Sequence, residues 1–171
     1  MTRPDRAMED GVIDEKYRDF VAYAESGIDA VRNTGVGFVE CRDRHVRLMM
    51  PLEGNTNHIG TMYAGCIFTL GEMAGGAIFG ASFDFTRLFP IVKEVTIRYR
   101  RPVMTDITLQ ASLTEERVRE IEDCVAEKGK CDFVLDLEIA DTQGEIVALV
   151  HGTWQVRTIP PGLANPLAKP R

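Results

Sequence analysis

Residues 62–83, "MYAGCIFTLGEMAGGAIFGASF", constrain this chain more than any other stretch. They read as one long helix that is apolar around its whole circumference, so it has to be buried on most sides. Its many small residues (Ala64, Gly65, Gly71, Ala74, Gly75, Gly76, Ala77 and Gly80) allow close approach by neighbouring backbone. One charge, Glu72, interrupts it near the middle. A lone carboxylate in such a setting is costly unless it is paired or used. About 20 apolar residues are also enough to span a bilayer. That reading is rejected, because Glu72 would sit near the bilayer centre, no basic cluster flanks the segment and Asp84 follows directly. No membrane partner is expected.

The rest of the chain indicates what covers this helix. Residues 14–32 read as an amphipathic helix, with Tyr17, Phe20, Val21, Ala24, Ile28 and Val31 at spacings of three and four, ended by Gly35 and Gly37. "VGFVECRD" and "HVRLMMPL" read as two strands joined near Asp43 and Arg44, and "EGNTNHIG" as a polar loop. After the long helix, "IVKEVTIRYRRPV" sets Val92, Val95, Ile97 and Tyr99 against Lys93, Glu94, Arg98 and Arg100. "DITLQASLTEERVREI" alternates Ile107, Leu109, Ala111 and Leu113, and the polar "EDCVAEKGK" is expected to be a loop or hairpin tip. "CDFVLDLEIAD" and "EIVALVHGTWQVR" flank the turn "DTQG". This order predicts an α+β fold, a curved antiparallel sheet wrapped around one central helix. The expected divisions are an N-terminal helical extension over 1–34, the sheet-and-helix domain over 35–158, and a Pro-rich extended tail over 159–171.

Composition narrows the partners. The chain is 44% apolar and 27% charged, ordinary for a globular protein. A net charge of −6 argues against nucleic acid, whose phosphates need a positive footprint. The four cysteines, Cys41, Cys66, Cys124 and Cys131, include no CxxC pair, and reduced thiols in a cytoplasmic protein are expected. The N-terminus lacks the apolar run of a signal peptide. No His, Cys and carboxylate cluster has metal-ligand spacing, so no metal is predicted.

At 100° per residue Gly65, Thr69, Glu72 and Gly76 share one face of the long helix. The first-turn amides, around Ala64 and Gly65, lack intrahelical acceptors and lie at the positive end of the helix dipole. They are suited to polarise a carbonyl and to receive an oxyanion. Glu72, on the same face, is expected close enough to activate a water or to attack the carbonyl carbon. Burial would raise its pKa and the helix N-terminus would oppose that shift. The alternative for Glu72 is a buried ion pair with Arg98 or Arg100, and for Asn57 a turn-forming role within its own loop.

Asn57, Gly60, Thr61, "YAG" over 63–65, "IFTL" over 67–70 and Glu72, with the later "IRYRRPV", carry a resemblance. Over residues 36–157 the chain resembles the hotdog-fold acyl-CoA thioesterases of the phenylacetate-degradation and 4-hydroxybenzoyl-CoA types. It departs from their pattern in having Tyr63 where a histidine is usual and Ala64 where a glycine is usual. The resemblance implies hydrolysis of an acyl-CoA or acyl-carrier thioester to a carboxylic acid and a thiol, without a cofactor. Glu72 would be base or nucleophile, the Ala64 and Gly65 amides the oxyanion hole, and Asn57 would help hold the water or the thioester. His58, Gly60, Tyr63 and Thr69 would contact substrate, and Arg101 a coenzyme A phosphate. A homodimer or dimer of dimers, with sites formed between subunits, is implied too. Two further hotdog activities stay open. One is a 3-hydroxyacyl dehydratase using His58 and Glu72, although "HIGTMYAG" lacks the proline of that motif. The other is a non-catalytic acyl-CoA-binding protein.

Overall fold

A computed structural model describes residues 12–162. In chain order it runs through a 3-10 turn at Glu15–Tyr17, α1 (Arg18–Ser26), α2 (Asp29–Thr34), β1 (Gly37–Arg42), β2 (His45–Met50) and α3 (Ala64–Ser82). There follow β3 (Leu88–Tyr99), β4 (Ile107–Ser112), α4 (Glu115–Lys128), β5 (Lys130–Asp141) and β6 (Ile146–Thr158). Six strands form one antiparallel sheet in the order β1-β2-β4-β5-β6-β3, and α3 packs on its inner face. This is the hotdog arrangement. Period-two alternation builds the core: Val46, Leu48 and Met50 of β2, Ile107 and Leu109 of β4, Phe133 and Ile139 of β5, and Val150 and Trp154 of β6 are buried. The ends of the expected extension and tail, residues 1–11 and 163–171, lie outside the described residues.

Two expectations change. Residues 115–128, read partly as a strand continuing from residue 113 and partly as a loop, form α4. The Thr114 side chain accepts from the Arg117 amide as an N-cap, Glu115 and Glu116 occupy the first turn, and Gly129 closes the helix at φ 72°. Val118, Ile121 and Val125 bury one helical face, so the alternation of β4 stops at Thr114. The single N-terminal helix divides at Gly27, and Ile28, expected on its apolar stripe, is exposed.

The small residues of α3 receive side chains more than backbone. A Cβ on Gly75 would come within 2.2 Å of the Trp154 indole, and one on Gly80 within 2.0 Å of the Phe20 ring. Phe20 in turn packs on Phe38 and Phe85, and the Tyr17 hydroxyl donates to the Ala81 carbonyl at 3.0 Å. The N-terminal helices are thus fastened to the far end of α3. Among the described residues α3 is the one helix long and apolar enough to cross a bilayer, and 67% of its apolar window is buried inside the fold.

Gly75→Ala should destabilise the protein. Alanine gains about 1 kcal/mol of helix propensity over glycine, but the methyl collides with a buried ring, and overpacking costs about 1–3 kcal/mol or more. A lower urea midpoint is expected, and an unchanged or higher one would show that Trp154 moves freely.

Candidate functional site

Helix α3 is not buried all round. Cys66, Ile67, Leu70, Gly71, Met73, Ala74, Gly75, Ala77 and Ile78 are buried. Ala64 and Phe68 are exposed, and Gly65, Thr69, Glu72 and Gly76 are half-buried. These six make one uncovered stripe, the face on which the helical period places Glu72.

The Glu72 carboxylate has neither an ion pair nor a hydrogen bond among the described residues, and burial raises its pKa above the ordinary carboxylate value. Of the two opposing influences on it, desolvation prevails. The ion pair with Arg98 or Arg100 does not form. Ile97 of β3 points at Gly71 of α3, so Arg98, next along the strand, points to the outer face. There Arg98 lines a groove of about 860 Å³ together with Arg47, Asp136, Glu138 and His151. Glu72 is not part of that groove. The unpartnered carboxylate is the stronger chemical signal.

The start of α3 is held by a residue the sequence reading passed over. Asn55 is 6% exposed. Its amide nitrogen donates to the carbonyls of Thr34 at 2.6 Å and Pro51 at 2.8 Å, and its amide oxygen accepts from the Cys66 thiol at 3.2 Å. Its main-chain carbonyl accepts from the Tyr63 amide at 2.7 Å. Asn55 therefore ties the end of α2, the end of β2 and the first turn of α3 together. Nothing in "EGNTNHIG" separates it from Asn57, since both are ordinary turn formers.

Asn57 organises its own loop: Nδ2 donates to the Thr61 hydroxyl at 2.7 Å, and Oδ1 accepts from the amides of Ile59 and Thr61. Gly60 supplies the positive φ, 85°, that this turn needs, and His58 is exposed on it. The loop delivers the chain to Tyr63, whose extended backbone caps α3 without a side-chain bond. The amides of Ala64 and Gly65 have no acceptor among the described residues. The Tyr63 ring lies against the Gly65 Cα, and the Tyr99 hydroxyl donates to the Ala64 carbonyl at 3.1 Å. Burial, and then the neighbouring Tyr63, raise the Tyr99 pKa. Thr69 spends its hydroxyl on the Gly65 carbonyl at 2.9 Å, and exposed Arg101 pairs with Glu145 at 2.5 Å.

Spacing along α3 decides what one copy can do. Glu72 lies seven residues beyond Gly65, about 10 Å at 1.5 Å per residue. One carbonyl cannot meet both the first-turn amides and the carboxylate of the same helix.

Comparison with known proteins adds to this geometry. Residues 23–156 match the domain family DUF4442, described as a domain of unknown function. The chain belongs to the DUF4442 family. A probable thioesterase from Pseudomonas aeruginosa, itself a protein of unknown function, is 41% identical to this DUF4442 protein. The two structures have a TM-score of 0.79 over 88% of this chain and 100% of that one. A thioesterase enzyme from Staphylococcus aureus is 17% identical, with a TM-score of 0.61 over 76% of this chain and 99% of that one. A second Pseudomonas aeruginosa thioesterase is 16% identical, with a TM-score of 0.63 over 90% and 98%. These two show the shared hotdog fold. No curated protein matches the chain.

Proposed function

We propose that this DUF4442 protein hydrolyses acyl-CoA-type thioesters, in the manner of the phenylacetate-degradation and 4-hydroxybenzoyl-CoA enzymes, as a homodimer or dimer of dimers. The observation that carries the reading is the half-buried, unpartnered Glu72 carboxylate on the uncovered stripe of α3. A structural role would have given it a cation. The Staphylococcus aureus thioesterase has been mutated to alanine at a glutamine in position 32 and at a glutamate in position 47. That is the fifteen-residue spacing of Asn57 and Glu72.

In the proposed reaction the first-turn amides of α3 hold the thioester carbonyl oxygen. Glu72 from the other copy takes a proton from a water whose oxygen adds to the carbonyl carbon. The tetrahedral oxyanion then reforms the carbonyl, the C–S bond breaks, and the thiolate leaves to be protonated. Alternatively Glu72 adds to the carbon itself, expelling the thiolate, and water hydrolyses the resulting anhydride. In both routes the products are a carboxylic acid and a free thiol.

The roughly 10 Å between Gly65 and Glu72 supports a site shared with a second copy, and β3 offers the means to recruit it. This strand of twelve residues pairs with β6 on one side. Its other edge has no partner among the described residues, and its Val92 and Tyr99 are exposed. A long open edge invites pairing with a second strand. Sedimentation at micromolar concentration should give a dimer or tetramer, and a monomer would defeat the shared-site arrangement.

The test of the activity is turnover of an acyl-CoA panel, with products resolved. Free thiol and acid support the proposal. An enoyl product would instead implicate His58 with Glu72, and binding without turnover would make the protein an acyl-CoA sensor.

A further inference from the structure

The four cysteines are scattered along the sequence, but the fold brings two of them together. Cys41 is fully buried in the core, and Cys66 spends its thiol on the Asn55 amide oxygen. Cys124 and Cys131 differ. Both are half-buried and free, one near the end of α4 and the other at the start of β5.

Helical spacing sets Cys124 beside Ile121 and Val125, on the face that α4 buries. Strand alternation sets Cys131 on the side of Phe133 and Leu135, the buried side of β5, and α4 packs against this strand. Gly129, at φ 72°, turns the chain back between the two. Cys124 Sγ lies 3.7 Å from the Lys130 carbonyl oxygen, an atom in the same peptide plane as the Cys131 Cα. The two thiols are in hydrogen-bond contact with each other. Their remaining partners are distant, the Lys130 carbonyl for Cys124 and, at 3.8 Å, the Asp132 carbonyl for Cys131. A disulfide needs Cβ bonds aimed at one another across a short gap. Thiols in mutual contact between a helix and the strand it packs on are so placed.

We propose that Cys124 and Cys131 form a redox modification site, a dithiol that a hydroperoxide converts to a disulfide tying the end of α4 to β5. Burial, and then the hydrogen bond with Cys124, push the Cys131 pKa up to about 11, so this thiol keeps its proton at neutral pH. Cys124 therefore acts first. Its sulfur attacks a peroxide oxygen and the O–O bond breaks. The thiol proton passes to the departing oxygen, which leaves as an alcohol, or as water from hydrogen peroxide. Cys124 is oxidised to a sulfenic acid and the peroxide is reduced. The Cys131 sulfur then attacks the Cys124 sulfur. The S–O bond breaks, and the departing hydroxide takes the Cys131 proton and leaves as water. A thiol reductant reverses the change by exchange.

The test treats the full chain with dilute hydrogen peroxide, alkylates the remaining thiols and digests with trypsin. Peptides 120–128 and 131–157 each carry one of the two cysteines. They should appear linked, lighter by two hydrogens than their sum, and separate again after dithiothreitol. On a non-reducing gel the oxidised chain should run as a monomer. Cys131→Ser should hold Cys124 at the sulfenic acid, trapped by dimedone, whereas Cys124→Ser should give no adduct at Cys131. Unlinked peptides, with Cys124 or Cys131 carried on to the sulfinic or sulfonic acid, overturn the site. Linkage found only in a cross-linked dimer overturns it too, because the bond then joins copies rather than α4 to β5. Trapping at Cys131 in Cys124→Ser, with none at Cys124 in Cys131→Ser, overturns the order of the two steps. The measurement on the wild-type chain stands whether or not either variant folds.

Discussion

Glu72→Gln should lower kcat at least about 100-fold, the lower bound for loss of a general base, while the protein keeps its fold and its affinity for acyl-CoA. Glutamine retains the size and most of the hydrogen-bonding capacity of glutamate but cannot take the proton. Thermal stability should hold or rise near neutral pH, because the charge it removes has no partner among the described residues. The sign of the pH dependence follows. A carboxyl whose folded pKa lies above its ordinary value of 4.5 binds more protons in the folded state than in the unfolded one between those two values. Wild-type stability therefore falls as pH rises from 4.5 through the raised pKa. The advantage of Glu72→Gln should appear over that window, persist above it and vanish below. Wild-type turnover should decline with acid below the raised pKa, earlier than for an ordinary carboxylate. Undiminished turnover by Glu72→Gln would remove Glu72 from the chemistry.

Asn55→Ala should be the most damaging single change outside the apolar core. Two carbonyls, those of Thr34 and Pro51, lose their donor in a site 6% exposed. Each orphaned buried group costs about 1–3 kcal/mol, so a loss of roughly 2–6 kcal/mol is expected. In a domain of this size that corresponds to a fall in Tm of about 10 °C. Asn55→Asp keeps the shape but turns an acceptor toward both carbonyls, and should be no better. A change of less than about 2 °C in scanning calorimetry would show that the loop re-forms its bonds without this side chain.

The architecture was legible because its main signal is long-range and redundant. A helix without charges apart from Glu72 has few places to go, and the flanking strands alternate cleanly enough to fix both sheet faces. Even the irregular step from Val92 to Val95 has a counterpart, a register shift between Val92 and Glu94 in the pairing of β3 with β6. Helix α4 was missed although its signals stand in the sequence: Thr114 before Glu115 and Glu116, Val118, Ile121 and Val125 at helical spacing, then Gly129. The alternation over 107–113 was carried one element too far. The uncovered face of α3 was legible, and with it the place of Glu72, since helical periodicity sets both. The separation of Glu72 from its own helix start follows from seven residues of helical rise, about 10 Å. Asn55 was invisible for another reason. Its role depends on Thr34 and Pro51, which chain folding brings together and no local pattern announces.

The position of β3 at the sheet border has a consequence for how the protein is made. Along the chain β3 directly follows α3, but its partner within the fold is β6, whose residues 148–158 complete the register from Leu88 to Tyr99. On the ribosome β3 emerges roughly fifty residues before the strand that covers it, at about 5–20 residues per second. For those seconds the twelve-residue strand is bare on both edges, and the uncovered stripe of α3 lies beside it. Nascent chains on one polysome carry identical bare strands, so a β3 that meets another β3 before β6 arrives finds the same edge chemistry the finished dimer is proposed to use. Assembly during synthesis and misassembly during synthesis then draw on one surface, and the pace at which residues 100–158 are translated sets the balance between them.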